Sequence, residues 1–251
     1  MLKKTLLLCS IFVVTSSTAF AAADQKSAST TLTAEQILSK NAAARGGAES
    51  WQKINTMTMT GLVDAGKGLQ LPYTLDLKRG RKVHLELEFD GKTAIQVYDG
   101  QNGWKKRPFL GHDDVEPFTA EELQKSSLDA DIDGPLMGHV AMGTKVELEG
   151  MEKLEDRNTY KLKLTTKAGI VRHVWLDAET FLEAKIDGTR RMDGRQKPVA
   201  TFYRDYKNVD GLMVPFTFES YVDGVKTTEK IAIDKVVLNP KLDDARFSKI
   251  Q

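Results

Sequence analysis

Lys82-Val83-His84-Leu85-Glu86-Leu87-Glu88-Phe89 decides how this chain folds. Val83, Leu85, Leu87 and Phe89 are apolar, and Lys82, His84, Glu86 and Glu88 between them are polar or charged. Successive side chains of an extended strand project to opposite faces, so the run reads as one strand with a dry face and a wet face. Asp90-Gly91 follows at once, and Asp-Gly suits the positive φ angles of a tight hairpin turn. Upstream, Tyr73, Leu75 and Leu77 alternate with Thr74, Asp76 and Lys78, and Met57 and Met59 alternate with Thr56, Thr58 and Thr60. Downstream, Ile95 and Val97, then Tyr160, Leu162 and Leu164, then Phe216 and Phe218 continue the pattern. Asp-Gly recurs at Asp99, Asp187, Asp193, Asp210 and Asp223, marking further strand connections. The spacing predicts a mainly β chain of about eleven antiparallel strands. Residues 102–114 read as the most loop-like interior stretch and residues 129–143 as the next. No Pro- or Ser-rich linker divides the pattern, so residues 32–251 are expected to form one domain.

Helices are few. Thr33-Ala34-Glu35-Gln36 is a capping box, and Ala34, Ile37, Leu38 and Ala42 lie on one helical face until Gly46-Gly47 stops it. A further turn carries Trp51 and Ile54 inward, and Thr119-Ala120-Glu121-Glu122 opens a short helix with Leu123 inward. Ten strands at ~4.8 Å spacing make a sheet about 48 Å wide. Two or three short helices, each about 10 Å across, cannot cover such a face. The sheet must therefore pack on itself as a sandwich or curl around the helices, and alternation alone does not choose between them. Met57, Met59, Met137, Met142, Met192 and Met213 suit either an adaptable apolar lining or ordinary core filling.

Composition excludes several classes of function. The 251 residues carry 36 Lys plus Arg against 35 Asp plus Glu, which leaves no basic footprint for nucleic acid. Charged residues make up 28%, too many for a multi-span membrane protein. Lys3 and Lys4, the apolar run at residues 6–14 and the small pattern Ala19-Phe20-Ala21 read as a cleavable signal peptide over residues 1–21. The apolar run is short of the roughly 20 residues that span a bilayer. Lipid attachment at Cys9 is rejected, because Leu8 stands where a small residue is needed. Residues 22–31 read as a flexible leader, and cleavage removes the only cysteine. A periplasmic chain without disulfides is expected.

Chemical motifs are absent. The sequence has no G-x-S-x-G elbow, no H-E-x-x-H, no Walker loop and no complete G-x-G-x-x-G. His84, His112, His139 and His173 are scattered without metal-ligand spacing. Asp129-Ala130-Asp131-Ile132-Asp133-Gly134 copies the first half of a calcium loop, but Val140 stands at the twelfth position, where a bidentate Glu belongs. No catalytic residue, metal or cofactor is expected.

Tyr98-Asp99-Gly100-Gln101-Asn102-Gly103-Trp104, Asp131-Ile132-Asp133-Gly134-Pro135-Leu136 and Val146-Glu147-Leu148-Glu149-Gly150 occur in that order. Leu176-Asp177-Ala178-Glu179-Thr180 and Asp205-Tyr206-Lys207-Asn208-Val209-Asp210-Gly211-Leu212 follow them. Together these segments resemble exported bacterial outer-membrane lipoprotein-sorting proteins of the LolA-like superfamily, from about residue 32 to residue 247. The resemblance implies a single curled antiparallel sheet of about eleven strands, forming an unclosed barrel plugged by short helices. It also implies a periplasmic carrier that holds the acyl chains of a lipoprotein or lipid and exchanges them with donor and acceptor proteins of the inner and outer membranes. The alternative within the same fold is an envelope sensor that detects lipidated or misfolded proteins. An enzyme with an unrecognised site is the third reading. A monomer without nucleic-acid partners is expected. On the carrier reading the lining comprises Met57, Met59, Tyr73, Leu75, Leu77, Val83, Leu85, Leu87, Phe89, Ile95, Val97, Phe216 and Phe218. Trp104, in the 102–114 stretch, belongs to a candidate lid, and residues 131–143 are the other candidate.

Overall fold

The computed structural model describes Leu32–Gln251 apart from Lys67 and Asp193. The signal-peptide and leader readings therefore lie outside the described residues. Thr33 caps the first helix, α1 (Ala34–Ala44), in both directions. Its hydroxyl accepts the Gln36 N–H at 3.3 Å, and the Gln36 side chain accepts the Thr33 N–H at 2.9 Å. That reciprocal pair satisfies two backbone donors that a first turn otherwise leaves without partners. Past the two glycines, α2 (Ala48–Gln52) lasts only five residues and buries Trp51.

A meander follows: β1 (Thr56–Asp64), β2 (Gln70–Lys78), β3 (Lys82–Phe89) and β4 (Lys92–Tyr98). Asp90 at φ 49° and Gly91 at φ 69° turn β3 into β4, as the Asp-Gly pair predicts. β5 (Gly103–Arg107) and β6 (His112–Pro117), joined by a 3₁₀ turn at Pro108–Leu110, extend the sheet. Residues 102–114 are thus mostly strand rather than loop. Gly-Trp-Lys-Lys-Arg and His-Asp-Asp-Val-Glu-Pro hide that role, because both strands are short and charged: β5 buries Lys105 against Glu122 rather than an apolar stripe, and the charges of β6, at the free edge, discourage pairing with other chains.

The chain then leaves the sheet through α3 (Ala120–Asp129), capped by the expected Thr119–Glu122 box, and two further short helices, α4 (Gly134–Met137) and α5 (His139–Met142). It re-enters at β7 (Lys145–Leu154) and runs on through β8 (Arg157–Thr165), β9 (Val171–Asp177), β10 (Glu183–Met192), β11 (Arg195–Val209), β12 (Leu212–Val222) and β13 (Glu229–Leu238). Asp187-Gly188, expected at a turn, lies inside β10. There the Asp187 carboxylate accepts the His173 backbone N–H and faces the ring Nδ1 at 2.7 Å.

All thirteen strands form one antiparallel sheet in the order β6-β5-β4-β3-β2-β1-β13-β12-β11-β10-β9-β8-β7. The first and last strands meet in the middle, with Met57 opposite Leu238 and Met59 opposite Val236. A bulge follows Thr60, and Gly61 sits in it because a Cβ there would strike the Ala232 carbonyl. β6 and β7 remain as the two free edges. Laid flat, thirteen strands would span roughly 60 Å. Val83 on β3 and Val174 on β9, seven places apart in the sheet, nevertheless border the same cavity, so the sheet curls into an unclosed barrel.

The concave side holds two main cores. α1 sends Ile37 into Leu162, Leu164, Val174, Leu176 and Ile186, joined by Leu136 of α4. α2 and the residues after it send Trp51 and Ile54 towards Met57, Leu77, Leu212, Val214 and Val236. On the convex side, a terminal 3₁₀ turn at Asp244–Phe247 lies over β2 to β4. Arg246 reaches the Asp76 carboxylate and Glu86, and its carbonyl faces Nδ1 of His84 at 2.7 Å.

Candidate functional site

Between the concave face and the helices lies a cavity of 420 Å³. That size falls within the roughly 300–1,000 Å³ of ordinary ligand pockets. One wall comes from β1 to β3 and is hydrocarbon: Met57, Met59, Leu75, Leu77, Val83 and Leu85, with the Tyr73 ring beside them. Val214, Phe218 and Ile231 continue it across β12 and β13. Phe118, Leu128, Ala130, Ile132 and Pro135 close it from the helical side.

Of the residues expected from alternation, Met57, Met59, Tyr73, Leu75, Leu77, Val83, Leu85 and Phe218 lie together on this cavity. Leu87 shares their face, opposite Tyr73, but packs into the adjoining core rather than the cavity wall. Phe216 is likewise buried in that core. Phe89, at the strand end, is 40% exposed and meets Phe109 edge-to-face at 5.8 Å.

Ile95, Val97 and Trp104 fall on the other face. The register sets Leu85 opposite Gln96 and Leu87 opposite Ala94, whereas Ile95 faces Glu86 and Val97 faces His84. Directly opposed residues share a face, so Ile95 and Val97 project to the convex side, and Trp104, opposite Val97, follows them. Val97 borders the cavity from within the strand while its side chain keeps to that outer row. The concave positions of β4 are Ala94, Gln96 and Tyr98. The reversal has a physical cause: Phe247 of the terminal turn is buried on the outer side, beside a groove that includes Trp104 and Lys82. Both faces of β4 are therefore covered, and its alternation does not reveal which one lines the cavity.

The opposite wall of the cavity is polar, and none of it was anticipated from the sequence. Arg172 of β9 donates to Asp129 at 2.8 Å and to the Asp187 carbonyl at 3.1 Å. Lys125 reaches the second Asp129 oxygen at 3.2 Å. Burial raises the Asp129 carboxyl, but Lys125 and Arg172 more than offset it and hold it below the ordinary carboxylate range. Arg45 donates to Glu183 at 3.4 Å and to the Asp133 carbonyl at 2.8 Å, lying over the Trp51 ring at 4.3 Å. Tyr206 donates to Glu183 at 3.1 Å, and burial pushes its phenol well above the usual value. Register gave one usable signal for this wall. Arg172 shares the inward row of Val174 and Leu176, an apolar stripe broken by a single cation.

The calcium-like run Asp129-Ala130-Asp131-Ile132-Asp133-Gly134 has another use. Asp133 forms a two-pronged pair with Arg79 at 2.8 and 2.9 Å, and Asp129 pairs with Arg172. Ala130 and Ile132 between them are buried against the cavity. Asp129 and Asp133 pin the segment to the barrel, Asp131 accepts the Asp133 N–H within it, and Ala130 and Ile132 between them face the cavity. Among the described residues no group of three His, Cys, Asp or Glu is placed to hold a metal.

No protein-family model matches the chain, and no curated protein matches it. Solved structures do. A DUF1329 family protein from Desulfovibrio piger aligns with a TM-score of 0.60 at 14% identity, covering 87% of this chain and 98% of that one. A LolA superfamily protein from Nitrosomonas europaea aligns at 0.56 and 17% identity, covering 87% and 99%. A putative outer membrane lipoprotein-sorting protein domain from Vibrio parahaemolyticus aligns at 0.55 and 14% identity, covering 85% and 95%. Thirteen antiparallel strands curled without closure around short helices, together with these alignments, identify the fold of this chain as LolA-like.

Proposed function

We propose that this chain is a periplasmic carrier that shelters the acyl chains of a lipoprotein or lipid in the cavity of its curled sheet. The carrying observation is the hydrocarbon wall formed by Met57, Met59, Leu75, Leu77, Val83 and Leu85 around 420 Å³ of space. Burial is worth about 0.8 kcal/mol per CH₂, so a long acyl chain in water is costly by roughly 10 kcal/mol. A carrier must match the bilayer closely enough to take such a chain and still release it. Flexible methionines in the lining suit cargo of varied shape. Residues 131–143, now seen as α4 and α5 over the concave side, serve as the lid on this reading. The chain acts as a monomer, takes cargo from an inner-membrane donor and yields it to an outer-membrane acceptor.

Native mass spectrometry of the chain isolated from its own periplasm, followed by organic extraction, tests this reading. A stoichiometric acyl species bound to the protein is the expected result. No bound acyl species, combined with no uptake of the apolar dye N-phenylnaphthylamine, would overturn it.

A further inference from the structure

Four tyrosines border the cavity, and they divide into two kinds. Tyr98 donates to the Gly100 carbonyl at 2.9 Å, and Tyr206 donates to Glu183. Tyr73 and Tyr203 have no acceptor for their hydroxyls among the described residues, and their phenols are pushed up chiefly by burial. Tyr73 is only 9% exposed and stands on the hydrocarbon wall, opposite Leu87. Tyr203 stands on the polar wall, its ring edge-to-face with Phe218 at 5.5 Å. Neither hydroxyl is sealed within the protein and neither meets a protein acceptor, so each is placed to donate to something inside the cavity.

Charge decides what that partner is. The lining holds three cations, Arg45, Lys125 and Arg172, and three acids, Asp129, Asp131 and Glu183. Arg45 is paired with Glu183, and both Lys125 and Arg172 are paired with Asp129. A carboxylate or phosphate entering the cavity would find every cation engaged and would have to shed its hydration without a counter-ion. An uncharged carbonyl oxygen needs only a donor, and the Tyr73 and Tyr203 hydroxyls, on facing walls, are unengaged donors among those that line the cavity.

We propose that the cavity selects cargo whose hydrocarbon is joined to an uncharged carboxylic ester, with Tyr73 and Tyr203 donating to the ester oxygens. This rests on the carrier reading and specifies the chemistry at the polar end of the cargo. The ester can belong to a free glyceride or to the diacylglyceryl group of a lipidated protein.

Displacement of N-phenylnaphthylamine from the mature chain tests it, with monopalmitoylglycerol and palmitate as competitors of equal chain length. The glyceride is expected to displace the dye at about tenfold lower concentration. Tyr73→Phe and Tyr203→Phe are each expected to narrow that ratio about threefold, the share of one hydrogen bond. A synthetic peptide whose N-terminal cysteine carries a dipalmitoylglyceryl group separates the two sources. Stronger displacement by the peptide than by dipalmitoylglycerol assigns the ester to a lipidated protein, and equal displacement assigns it to the glyceride alone. Equal displacement by palmitate and monopalmitoylglycerol on the unaltered chain overturns the proposal while leaving the carrier reading intact. Failure of the dye to bind overturns both.

Discussion

The two halves of the barrel are filled differently. Beneath β8 to β10, the eleven residues of α1 lay Ile37 against Leu162, Leu164, Val174 and Leu176, all buried. Beneath β1 to β3 lie the five residues of α2 together with Phe118, Leu128, Ala130, Ile132 and Pro135, and the cavity opens between them and the sheet. At 1.5 Å per residue, α1 is about 16 Å long and α2 about 8 Å. Three strands are about 14 Å wide, so the longer helix is long enough to span its strands and the shorter one is not. The hollow therefore lies on the side of the shorter helix, and not for any lack of apolar side chains on the sheet.

Removing the buried ion pair of Arg45 and Glu183 should have the largest effect. Arg45 follows α1, Glu183 opens β10, and both side chains are almost wholly buried. Glu183→Ala leaves the guanidinium without its partner and should cost roughly 3–5 kcal/mol in chemical denaturation. The comparison itself is tested by truncating each half. Ile37→Ala should cost about 3 kcal/mol, because the surroundings cannot collapse into the space. Leu85→Ala, which enlarges an existing cavity from a half-buried position, should cost about 1 kcal/mol or less. Equal losses would break the distinction between a filled and a hollow half.

Enlarging side chains sharpens the same point from the other direction. Leu162→Trp should overpack the filled half and cost about 1–3 kcal/mol. Leu85→Trp should be tolerated in the melting curve while abolishing dye uptake, since its ring occupies the space the cargo needs. The smallest expected effect is electrostatic. Asp129 is held below the unfolded carboxylate value of about 3.9, so its pair stabilises the fold above that value and is lost as pH falls through the lower, folded one. Urea midpoints measured from pH 6 downwards should therefore fall less steeply for Asp129→Asn than for the unaltered chain. The side chain is 41% exposed, which keeps the difference small.

Strands with one wet face were legible residue by residue. Val83, Leu85 and Leu87 occupy the concave face that their alternation indicates. Strands covered on both faces were not: β4 alternates Ile95 and Val97 on its outer side, where the terminal turn packs, and period two cannot say which side is inner. β5 and β6 escaped notice because these short strands, the last two before one edge, carry charges in place of an apolar stripe. Beyond Arg172, a lone cation in an apolar row, the polar wall was hidden for a different reason. Arg172, Glu183, Tyr203 and Tyr206 come from β9, β10 and β11 and converge only once the sheet curls. Curvature depends on twist and on which helix lies beneath, and no local pattern records it.

The seam between β1 and β13 joins residues near the two ends of the described chain, Met57 with Leu238. Every other neighbouring pair in the sheet is also consecutive in sequence. Those pairs are local hairpins, which close on the microsecond scale, whereas the seam must bring together segments about 180 residues apart. The two meanders can therefore assemble independently, with the seam zipping last. Until it does, the chain presents four unpaired strand edges instead of two, and β1 and β13, the innermost strands of the finished sheet, are among them. That interval is when the nascent protein is most open to mispairing with its neighbours, and when a holding chaperone has the most to shield.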